Sequence, residues 1–127
     1  MVVLIHGIRT RGEWCEMVRD ELEAKGIKSR AIGLGEYFDV FRFLCPIGTR
    51  KRQVRRVLAQ IDDVQRIYRG AKISVIAHSF GTYVFSQILK KTNNPDFHRV
   101  ILCGGIVSEK FPWMRYEARL EYDRSQN

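Results

Sequence analysis

The sequence predicts an α/β fold of three layers, αβα, built on a mainly parallel sheet of about four strands. Three observations predict it. Short apolar, β-branched runs recur along the chain, helical periodicity fills the stretches between them, and glycines close most of the runs. Strand and helix alternating in this way is the pattern of a parallel sheet with right-handed crossovers.

Val2-Val-Leu-Ile5 is a continuous apolar run ended by His6-Gly7, as expected of a strand buried on both faces. From Glu13 to Lys25 the apolar residues Trp14, Val18 and Leu22, with Met17 beside them, repeat at helical spacing, and Gly26 supplies a stop. Ile27 to Leu34 reads as a second, weaker strand, leaving through Gly33 and Gly35. The stretch from Glu36 to Gly48 is aromatic and irregular, with Tyr37, Phe38, Phe41, Phe43 and Pro46. It either lines a substrate pocket or patches the core. Thr49 is placed to cap a long helix in which Val54, Val57, Leu58, Ile61, Val64 and Ile67 form one apolar stripe. That helix ends near Gly70. Lys72 to Ala77 is a third strand, Phe80 to Lys91 a helix, and Arg99 to Cys103 a fourth strand closing on Gly104-Gly105.

With 127 residues the chain is expected to be one domain, residues 1–127, with a core over 1–108 and a charged tail over 109–127. Apolar residues make up 45% and charged residues 28%, the balance of a soluble globular protein. No run is long enough to span a bilayer and no leader pattern opens the chain. Cys15, Cys45 and Cys103 show no metal-ligand spacing, so the expected setting is reduced and cytoplasmic. The net charge of +8 is partly local, in Arg50, Lys51, Arg52, Arg55 and Arg56. Without interleaved aromatics or a recognised motif, that cluster reads as a solvated helix face rather than a specific nucleic-acid site.

Ala77-His-Ser-Phe-Gly81 carries the chemistry. It follows a buried strand and opens a helix, and its small residues two before and two after Ser79 permit a sharp turn that lifts the hydroxyl above the sheet edge. In a parallel sheet the C-terminal ends of adjacent strands share one edge, so the loop after Gly7 is expected beside Ser79. Backbone N–H groups of Ile8 and Phe80 would then form an oxyanion hole, meeting charge that develops only in the transition state.

The pair Val2-Val-Leu-Ile-His-Gly7 and Ala77-His-Ser-Phe-Gly-Thr82 resembles the α/β-hydrolase superfamily, in particular its serine esterase and lipase-like branches, over roughly residues 1–108. The resemblance implies Ser79 as nucleophile, Ile8 and Phe80 as oxyanion donors, His6, Gly7, His78 and Gly81 as supporting residues, and a strand order 2-1-3-4. It also implies an acid and a histidine after the nucleophile. Here the chain departs from the pattern, with forty-eight residues following Ser79. His6 belongs to the oxyanion loop, His78 precedes the nucleophile and His98 falls at the opposite sheet edge, so no histidine is placed as the general base. Glu109, after the fourth strand, is the candidate acid. Asp96 shares the edge of His98, and Asp123 lies in the tail.

The expected function is therefore serine hydrolysis of a carboxylic ester or acyl substrate, with base and acid absent from this central portion of a larger hydrolase. A non-catalytic α/β-hydrolase-like binding module is the alternative. No metal or organic cofactor is required. The expected partners are a small ester or acyl molecule and a second copy meeting an exposed sheet edge.

Overall fold

Buried on both sides, Val3, Leu4 and Ile5 show no exposed surface, as a strand between two helical layers requires. They form β1 (Val2–Ile5) in a computed structural model that describes residues 1–7, 13–33, 49–91 and 96–120. The other described elements are α1 (Glu13–Ala24), β2 (Ser29–Ile32), α2 (Thr49–Ile67), β3 (Ser74–His78), α3 (Phe80–Leu89), β4 (Val100–Cys103) and a 3-10 helix (Trp113–Arg119). Ile8, the aromatic stretch 36–48 with Cys45, and Asp123 lie outside the described residues.

The sheet has the order β2-β1-β3-β4, and every pairing is parallel, as the sequence predicts. Its register fixes the functional edge. Ile5 stands opposite Ala77, and His78 stands opposite Cys103, so the exits of β1, β3 and β4 lie on one rim.

Alternate residues of the central strands face opposite layers. Val3, Ile5, Val75 and Ala77 pack in one cluster with Val54, Val57, Ile61 and Val64 of α2 and Val84, Phe85, Ile88 and Leu89 of α3. Leu4 and Cys15 are buried outside that cluster, where α1 covers the other face. Burial pushes the Cys15 thiol up to about 12, with Glu16 adding to the effect. This cysteine fills space and is not a nucleophile.

Two apolar positions of the helical stripes miss the core. Met17 is 68% exposed and Ile67 61%, although the helical spacing includes both in apolar stripes. Each lies at the margin of its stripe, Ile67 at the last residue of α2, where the neighbouring layer no longer covers it. Turn chemistry behaves as expected at Gly26 and Gly70, which have φ of 73° and 80° after α1 and α2.

Residues 111–120 fold back on the main core. Phe111, Trp113, Tyr116 and Leu120 pack against it, and Leu120 bridges to Phe97. Phe97 in turn meets Phe85 edge-on at 5.0 Å, a geometry that favours aromatic pairs.

Candidate active site

A strand that must become a helix within one residue forces an unusual backbone. Ser79 carries it, with φ 53° and ψ −120° between β3 and α3. It is the one non-glycine residue with positive φ among the described residues. Such a conformation costs an L-residue about 1–3 kcal/mol and persists only where surrounding structure dictates it. Here the surroundings are named. The Ser79 N–H donates to the Cys103 carbonyl at 3.0 Å, and the Ser79 carbonyl accepts from the Thr82 N–H at 3.0 Å and the Thr82 hydroxyl at 2.7 Å.

The small residues earn their place by contact. A Cβ on Gly81 would stand 2.4 Å from the Ile5 carbonyl oxygen, so α3 starts hard against the backbone of β1. A Cβ on Gly7 would stand 2.8 Å from Ser79 Cβ and 3.2 Å from Ser79 Oγ. The β1 exit therefore touches the serine itself, on the rim where the sequence expects it. Ala77 is fully buried beneath the turn.

Thr82 has a structural role that the serine motif alone does not announce. Its buried hydroxyl donates to the Ser79 carbonyl and accepts from the Ile106 N–H at 3.1 Å, tying the turn to the loop after β4. The sequence carries one signal: Thr82 and Ser86 are small polar residues four apart in a mostly apolar helix. Ser86 donates to the Tyr83 carbonyl, one turn back.

The histidines occupy three different surroundings. His6 Nδ1 lies 2.9 Å from the carbonyl oxygen of Gly7 in the partly buried β1 exit. The His78 ring sits 5.7 Å from the Trp14 ring and borders Gly104, and its buried Nδ1 has no partner among the described residues. His98 belongs to the far rim, where its N–H donates to the Ile73 carbonyl at 2.7 Å. Asp96 is there too, 3.9 Å from Arg119. Glu109 lies after β4 and is exposed. Phe80 opens α3 directly after the serine, and Ser79 Oγ makes no hydrogen bond among the described residues. No cluster of metal-ligating side chains occurs among the described residues.

Over residues 1–108 the chain matches the family described as "Putative serine esterase (DUF676)". The chain belongs to this family. Membership in the serine esterase family agrees with the α/β-hydrolase-type sheet and with the strained serine between β3 and α3. An esterase-like function on a small-molecule substrate goes with the family's description. No curated protein and no solved structure matches the chain. No described helix is long and apolar enough to cross a membrane.

Proposed function

We propose that this serine esterase family member hydrolyses a carboxylic ester or related acyl substrate, with Ser79 as the nucleophile. The observation that carries the reading is the Ser79 backbone, held at φ 53° with Gly7 against its side chain. Structural needs alone do not call for a polar side chain at such a strained position, and glycine would adopt it at lower cost.

In the reaction the Ser79 oxygen attacks the acyl carbon while a base takes its proton. The ester C–O bond then breaks, the alcohol leaves with a proton, and water releases the acid from the acyl-enzyme. The negative oxygen formed on the way is met by the Phe80 N–H, at the start of α3, and by the N–H of Ile8. This role for Phe80 is supported by its position as the first residue of the helix, whose positive end faces the rim. Gly7 keeps the cleft open beside Ser79, and His6 and His78 shape the two strand exits. We assign the base to a residue other than His6, His78 and His98, from a further segment or another chain. Glu109 is the acid candidate because of its place after β4.

Hydrolysis of a series of p-nitrophenyl esters tests this. The expected result is turnover when the segment or partner that carries the base is present, and a loss of at least about a thousandfold when Ser79→Ala replaces the native chain under the same conditions. Equal turnover by both proteins would remove Ser79 from the reaction.

One observation favours a second reading, a binding module without catalysis: no base meets Ser79 Oγ among the described residues. That reading expects an ester to bind, detected as a rise in melting temperature, and to be recovered intact.

A further inference from the structure

The basic run of α2 faces solvent, with Lys51, Arg52, Arg55 and Arg56 exposed, and part of it also borders a cleft. Arg50, Lys51 and Arg55 form one wall of a cleft of about 360 Å³, and Lys90 and Lys91, at the end of α3, stand on the other side. Val54, which is 5% exposed, contributes an apolar floor. Among the described lining residues there is no carboxylate.

Local stability does not account for this arrangement. The first turn of α2 holds no acid, so its cations sit at the positive end of the helix dipole, where they are disfavoured. Lys90 and Lys91 lie at the favourable end of α3, yet they face the α2 cations across the cleft. Neither Lys51, Arg55 nor Lys90 forms an ion pair among the described residues. Lys91 is near the exposed Asp62, which lies outside the cleft lining, and favours its ionised form. Lys51, Arg55 and Lys90 converge on the cleft with no ion pair among the described residues, a set of like charges that an anion would complete.

The remaining lining suits an ordered ligand. Tyr83 is held between the Phe80 ring, stacked at 5.4 Å, and the Arg50 guanidinium, 5.8 Å from the Tyr83 centroid. Lys90 Nζ lies 5.4 Å from the Phe111 centroid, which fixes the other wall. Gln87 adds an amide that donates and accepts hydrogen bonds.

From the cleft's charge, size and walls we infer that it binds a phosphate-bearing group, either a small free phosphoanion or the phosphorylated headgroup of a lipid. Arginine forks pair with phosphoryl oxygens two at a time, and lysines add point charge. The volume falls in the range of small-ligand pockets, about 300–1,000 Å³, and suits a headgroup rather than a stretch of nucleic acid. This inference is independent of any role for Ser79.

The test uses the whole chain in phosphate-free buffer. Inorganic pyrophosphate is titrated by calorimetry, and co-flotation is measured with phosphatidylcholine vesicles with and without phosphatidylinositol bisphosphate. The double variant Lys51→Gln/Lys90→Gln is compared with Lys25→Gln/Arg69→Gln, which removes the same charge from exposed positions outside the cleft. All are checked for native circular dichroism, and the single variant Arg55→Gln stands in if the double variant fails to fold. Pyrophosphate binding that weakens about tenfold or more in the cleft variant, and under about twofold in the control, establishes the free-anion site. Vesicle binding with the same pattern and no pyrophosphate binding assigns the headgroup. Equal losses in both variants, no binding to either probe, or binding only to a homopolymer RNA would overturn the inference.

Discussion

The two rims of this sheet are built from the same strands and behave differently. At the far rim, His98 donates to Ile73, Arg99 accepts from Val75, and Asp96 reaches Arg119, all with ordinary backbone geometry. At the near rim Ser79 is strained, Gly7 and Gly81 leave no room for a Cβ, and Thr82 spends its whole hydroxyl on holding the turn. The far rim only joins strands. The near rim holds one side chain in a position that relaxed backbone does not reach, and that contrast is what the esterase reading rests on.

Substitutions that break the contrast should rank by how rigid their surroundings are. Gly81→Ala is expected to be most damaging, because the new methyl meets the backbone of β1, which cannot turn aside. A loss of about 3 kcal/mol in denaturant unfolding is expected, with esterase activity falling further than stability. Thr82→Val keeps shape but strands the Ile106 N–H and removes a bond to Ser79, for a loss of about 2 kcal/mol. Ser79→Gly should be more stable than Ser79→Ala by about 1 kcal/mol, since glycine relieves the positive φ that alanine retains. Equal stabilities would show that the turn is not strained. At the far rim Asp96→Asn should change stability by less than about 0.5 kcal/mol, because its carboxylate is 83% exposed and the pair is long.

Much of the near rim was legible in the sequence because its demands are local. A buried strand, two small residues and a helix start fall within Ser74 to Leu89, and the same run specifies the turn. Strand order comes from the α/β-hydrolase resemblance, which implies 2-1-3-4, the order of the sheet. What escaped depends on contacts between distant residues. Thr82 gains its role from Ile106, twenty-four residues on. The basic run at Arg50 reads as a solvated face and is exposed, but nothing local announces the cleft it shares with Lys90 and Lys91. Ile67 keeps the period of α2 but loses its cover, and periodicity alone carries no record of where the neighbouring layer stops. Phe111 likewise joins the core through a turn back that no repeat in the tail announces.

The most direct measurement is peptide mapping by mass spectrometry after the folded protein, with the segment or partner that carries the base, is exposed to a fluorophosphonate. The account predicts a single adduct on Ser79, lost when the chain is unfolded beforehand and absent in Ser79→Ala. An adduct on another serine, or none on the folded protein, would contradict it.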